Sequence, residues 1–151
     1  MSVLIVPAIG ILGTAAGTAL QAAKLHLGNS HKTSLEIHND TNGEIKIKIS
    51  EIDNHDWDGN SRPDHNFNDA VIPPRSSKEE REEINAKSST AMSKMTIEQD
   101  GKDQFSMRVN QWDAMPDDEE SKDFDMENEY KVQLKGGKGT LVISISNKRD
   151  S

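Results

Sequence analysis

Two hydrophobic periods divide the chain. Up to Leu27 the apolar residues recur at helical spacing. Ile5, Ile9, Leu12, Ala16, Ala19, Leu20, Ala23 and Leu27 share one side of a 3.6-residue period, and Gly10, Thr14, Gly17, Thr18, Gln21 and Lys24 share the other. Pro7 suits a first helical turn, and Gly28 with Asn29 suits a stop. After Gly28 the period falls to two. Leu35 and Ile37 alternate with Ser34, Glu36 and His38, and Ile45, Ile47 and Ile49 share one face of "EIKIKISEI". The "NDTNG" between them predicts a hairpin turn, with Asn42-Gly43 as its strongest signal. Ile52 breaks the alternation, as a bulge does.

The pattern continues beyond a polar loop. Met95 and Ile97 alternate, Asp100-Gly101 predicts a tight turn, and Phe105, Met107 and Val109 alternate on the return. Tyr130, Val132 and Leu134 predict another strand, "KGGKG" a turn, and Leu141, Val142, Ile143 and Ile145 a last strand. The segment "SSKEEREEINAKSS" fits two structures. It reads as a short helix capped by Ser76 or Ser77 with Glu80 completing the box, or as a charged edge strand. The sum is an all-β protein: an antiparallel β-sandwich of six or seven strands with an N-terminal apolar helix. The boundary falls at Gly28, giving an apolar segment over 1–28 and a sandwich domain over 29–151.

Composition narrows the function. A chain of 151 residues suits one domain and an appendage, and 32% hydrophobic against 29% charged residues suits the thin core of two packed sheets. With no cysteine, disulfides and thiolate chemistry are excluded. Between Asp113 and Glu129 stand nine acids and one base, Lys122, so this run holds as much charge as the whole chain, −8. No basic stripe remains for nucleic acid. Long-range attraction to anionic lipid is likewise absent, so a membrane partner would be zwitterionic or recognised by its headgroup. The acidic run itself reads as a solvated loop, as a site for a cation or basic partner, or as a device that keeps a monomer apart.

Residues 1–27 admit three readings. A secretory signal has small residues for a peptidase in Ala19, Ala22 and Ala23, but here it lacks a basic leading region. A second reading is a structural helix docked on the domain. The third is a helix that enters lipid: no charged side chain occurs before Lys24, about 20 apolar residues span a bilayer, and Gly13 and Gly17 have the spacing that brings helix backbones close. The inserting positions are then Ile5, Ile9, Leu12, Gly13, Gly17, Leu20 and Leu27.

Catalytic motifs are missing. There is no G-x-S-x-G elbow, phosphate loop or H-E-x-x-H, and the protein reads as a non-enzyme. Asn54, Asp56, Asp58 and Gly59 occupy calcium-loop positions one, three, five and six, but His65 stands where a bidentate Glu belongs. Calcium held by Asp53, Asp56 and Asp58 is set against a plain Asp/Asn/Gly turn. Zinc on His55, Asp56, Asp64, His65 and Asp69 fits no standard spacing. No other cofactor is expected. Trp57 and Trp112 stand at loops or strand ends, where an indole suits a lipid interface or caps a core.

The layout resembles the actinoporin-type cytolysins. A glycine-containing apolar leader precedes a strand, "NDTNGEIKIKI", "VIPPRSS", the "MTIEQDGKDQFSMRVNQW" hairpin and a closing β-pair. The part from Thr33 to Ile145 also resembles the aegerolysins, small lipid-binding sandwiches. The resemblance implies a secreted or membrane-associated pore-forming toxin that binds lipid through loops at one end. Its leader, Ser2 to Leu27, is then released and oligomerises in the membrane, with Trp112 near the lipid-facing end. The competing expectation is a soluble interaction protein, cytoplasmic or secreted, with a permanently docked N-terminal helix.

Overall fold

The computed structural model describes residues 10–11, 31–85, 88, 90–112, 119–137 and 139–150. The segments of period two become strands, and their apolar faces meet in one interior. The strands are β1 (Gly10–Ile11), β2 (His31–Asn39), β3 (Ile45–Ser50), β4 (Val71–Ile72), β5 (Ser76–Ile84), β6 (Thr90–Gln99), β7 (Lys102–Trp112), β8 (Glu120–Asp125), β9 (Tyr130–Gly137) and β10 (Thr140–Asn147). A single helical turn, α1 (Pro63–Asn66), lies between β3 and β4. One sheet has the order β1-β7-β6-β3-β4 and the other β5-β2-β10-β9-β8. Leu35, Ile37, Ile47, Ile97, Leu134 and Ile143 are among the fully buried residues between them. Their alternation with polar residues is what leaves each sheet one wet face.

The all-β sandwich expected from the sequence is therefore present, with ten described strands where six or seven were read. Two of the additional strands, β1 and β4, have two residues each, and β8 lies inside the acidic run. One pairing is parallel: β2 runs alongside β10 from Ser34↔Thr140 to Asn39↔Ile145. All other pairings among the described residues are antiparallel. The β6–β7 hairpin forms as read. Asp100 (φ 58°) and Gly101 (φ 75°) make its two-residue turn, and Gln104 is the extra residue where the register shifts.

The expected β2–β3 hairpin does not form. β2 pairs with β5 and β10, and β3 pairs with β4 and β6, so "NDTNG" carries the chain from one sheet to the other. Alternating apolar residues serve an arch as well as a hairpin, and Asn39 decides the matter. Its side-chain oxygen accepts from the Thr41 N–H (3.0 Å) and hydroxyl (2.6 Å). Its amide donates toward the carbonyls of Gly43 (2.8 Å) and Ile72 (2.9 Å). Gln99 Nε2 donates to Thr41 Oγ1 at 2.9 Å, and the Tyr130 hydroxyl donates to Gln99 Oε1. This chain of satisfied polar groups ties the corner to both sheets.

The expected N-terminal helix is corrected at the two of its residues that are described. Gly10 and Ile11 are extended and pair with Asn110 and Val109. The open side of β7 offers unpaired backbone groups, and the nearby glycines weaken a helix. The rest of the 1–28 expectation lies outside the described residues. The segment left between helix and strand resolves as a strand: Ser76–Ile84 is the edge strand β5.

Candidate functional site

One pole of the sandwich gathers Trp57, the Trp112 backbone and the aspartates Asp53, Asp56 and Asp58. β3, β5 and β7 end there, while β2, β6 and β10 begin there, as the ladders Ser50↔Lys94, His31↔Ile84, Thr90↔Trp112 and Ser34↔Thr140 show. The loop from Glu51 to Arg62 lies over this pole. It turns back along the end of β5, where the Asp58 N–H donates to the Glu83 carbonyl and the Glu83 N–H to the Ser61 carbonyl, both at 2.9 Å.

Trp57 forms a β-bridge with Ile84 and is 3% exposed, packed with Ala91 and the half-buried Ile52. In this structure the indole is covered by its neighbours and not presented at the surface. Ile52, read as a bulge, is instead the residue that follows the left-handed Glu51 (φ 52°) and turns onto this second cluster. The Trp112 backbone pairs with Thr90 at the same pole, and its side chain lies outside the described residues. So do Ile5, Ile9, Leu12, Gly13, Gly17, Leu20 and Leu27.

The aspartates do not assemble a metal site. Asp53 accepts the His55 N–H at 2.9 Å, closing an Asx turn. Asp56 points inward, where burial raises its carboxyl above the ordinary value, and it accepts the Met92 N–H at 3.4 Å. Arg62 takes Asp64 at 2.7 Å, and His65 Nδ1 lies 3.0 Å from the Asn60 carbonyl. Among the described residues no three His, Asp or Glu side chains form a group that fits a metal ion. Of the candidate ligands, Asp53 closes a turn, Asp56 accepts from the Met92 N–H and Asp64 pairs with Arg62.

Beneath this loop sits a group that the sequence reading passed over. Glu82 on β5 is 0% exposed, and so is Gln111 on β7. Gln111 Nε2 donates to Glu82 Oε1 at 3.0 Å, across the interior from one sheet to the other. Burial pushes the Glu82 carboxyl up to about 8, while the amides of Gln111 and Asn66 pull it down and Glu80 and Asp64 add to the rise. Glu82 Oε2, Gln111 Oε1, Asn66 Nδ2, Ser93 Oγ and Trp57 Nε1 are buried without a hydrogen-bond partner. The signal was faint but present. Read as a strand, "KEEREEI" puts Lys78, Glu80, Glu82 and Ile84 on one face, and Ile84 marks that face as the inner one.

No family model matches this chain, and no curated protein matches it. Among solved structures it is similar to IP-1A from Alcaligenes faecalis, at 8% identity and a TM-score of 0.45, over 85% of this chain and 96% of that one.

Proposed function

We propose that this protein is a non-enzymatic, membrane-active β-sandwich, a pore-forming cytolysin whose N-terminal segment leaves the body, enters zwitterionic lipid and oligomerises there. The observation that carries the reading is the contrast between that segment and its attachment. Residues 1–23 contain no charged side chain. Their described hold on the body is two ladder positions, Gly10↔Asn110 and Ile11↔Val109. Pairings of terminal segments are among those that open at low cost. The length of the segment and its Gly13/Gly17 spacing then suit a bilayer and a second copy. No helix among the described residues is long and apolar enough to cross a membrane.

Dye release from phosphatidylcholine vesicles tests it. The full chain releases dye, and a chain beginning at Asn29 does not. The full-length Leu12→Lys/Leu20→Lys variant loses at least about tenfold in release, because each lysine at mid-bilayer costs about 3 kcal/mol. Equal release by all three chains, or none by any, overturns the reading.

A second reading rests on the same pairing seen the other way. Gly10–Ile11 closes the β7 edge of its sheet, as a permanent element of a soluble interaction protein would. In that case protease cleavage within residues 1–28 is the same with and without vesicles.

A further inference from the structure

The acid–amide contact between the sheets leaves two acceptors that a single added proton would join. Glu82 and Gln111 are fully buried, and one hydrogen bond joins them, from Gln111 Nε2 to Glu82 Oε1. Within the pair, Glu82 Oε2 and Gln111 Oε1 are left over, both buried and both without a partner; beside them the buried Asn66 Nδ2 is a donor without one, and its amide acts on Glu82 toward the ionised form. With Glu82 ionised, both oxygens are acceptors. Two unsatisfied acceptors in a low-dielectric interior forfeit their hydration. A proton on Oε2 joins them. The new O–H donates to Gln111 Oε1, and the two groups close into a ring of two hydrogen bonds.

We propose that Glu82 is a neutral carboxylic acid at neutral pH and forms with Gln111 a two-bond latch that fastens the edge strand β5 to strand β7 across the sandwich. Loss of the proton to solvent in alkaline solution breaks one of the two bonds and leaves a charge in the interior.

On balance the surroundings favour the neutral form: the amides of Gln111 and Asn66 act for the carboxylate, and burial with Glu80 and Asp64 acts against it. From β5 itself comes Glu80, which accepts from Lys78 at 3.0 Å. From α1 come Asp64, held by Arg62 at 2.7 Å, and His65, 3.8 Å from Asp64. The polar loop contributes Asp56, turned to the Met92 N–H. β6 and β7 bring the uncharged Ser93 and Gln111, and β2 places Thr33 opposite Glu82 in the ladder. The charges that act on Glu82 most strongly, Glu80 and Asp64, are both acidic and disfavour the carboxylate. Burial acts the same way and sets the carboxyl near 8 against the ordinary 4.5. Between those two values the unfolded chain has lost a proton that the folded chain keeps. Stability therefore falls as pH rises through that window and stops falling above it, where both states are ionised. This latch stands or falls independently of the lipid reading.

The test uses the full chain. Carbon-13 NMR follows the Glu82 side-chain carboxyl from about pH 5 to about pH 10, assigned by the signal that disappears in Glu82→Gln. The expected result is a resonance that stays at its neutral-acid position through pH 7 and moves with a midpoint near 8. In thermal melts the difference between wild type and Glu82→Gln shifts steadily against the wild type as pH rises from about 5 to about 8. A carboxyl that titrates in the ordinary range near 4.5, or melting curves that stay parallel across that window, overturns the latch. Should Glu82→Gln fail to fold, the wild-type titration decides alone, since the Glu82 carboxyl is then assigned through its own backbone.

Discussion

The indole of Trp57 is held by Ile84, Ala91 and Ile52, although the residue lies in a loop of Asp, Asn and Gly. The burial of a side chain is set by what its backbone bridges to, and the bridge to Ile84 draws this one under the pole. Its removal leaves a cavity that the turns around it cannot fill. Trp57→Ala is expected to lower stability by about 3–5 kcal/mol, read as a fall in the urea midpoint. In a Trp112→Phe background the remaining fluorescence is that of an enclosed indole and resists acrylamide, in buffer and with vesicles alike. Strong quenching would contradict the packing. The same physics explains Glu82. A glutamate in the run "KEEREEI" gives no sign that it is interior except its phase with Ile84, and its partner Gln111 is 29 residues away. What the sequence hides here is the pairing, since two buried polar groups are recognised by facing each other.

At the level of elements, what could be read was local. Met95 with Ile97, Asp100-Gly101, and Phe105 with Met107 and Val109 define the β6–β7 hairpin because the turn, both strands and the register are contiguous. The β2–β3 connection was misread because period two states which residues face inward and is silent on which strand lies beside them. Asn39 makes the arch through carbonyls at Ile72 and Pro73, more than thirty residues on, which no local signal announces. β8 was invisible for another reason. Its six residues, "ESKDFD", are exposed except for the half-buried Phe124, so it carries no alternation of apolar residues. Its charges suit its place at the sheet edge, where an apolar strand would recruit another chain. Replacing them tests this. Lys122→Val/Asp123→Val should change stability by no more than about 1 kcal/mol yet produce higher-mass species in size-exclusion chromatography. An unchanged elution profile would show that the charge at this edge does not limit association.

For the whole molecule, two sheets of five strands meet through a core of Ile, Leu, Val and Met, and two polar devices stitch them at opposite poles. The Asn39–Thr41–Gln99–Tyr130 chain is linked throughout by hydrogen bonds, whereas the Glu82–Gln111 pair leaves Glu82 Oε2 and Gln111 Oε1 without a partner. The incomplete pole is also where β7 ends and where the uncharged leader pairs with it, at Gly10↔Asn110. A highly charged body and a leader with no charge before Lys24 have opposite solvent preferences joined in one chain. The account predicts that they separate when lipid is offered. Hydrogen exchange of the intact protein, with and without phosphatidylcholine vesicles, measures this directly. Residues 1–28 should gain protection with vesicles while the β7 segment around Val109 and Asn110 loses it. Exchange that is the same in both segments, vesicles present or absent, would contradict the account.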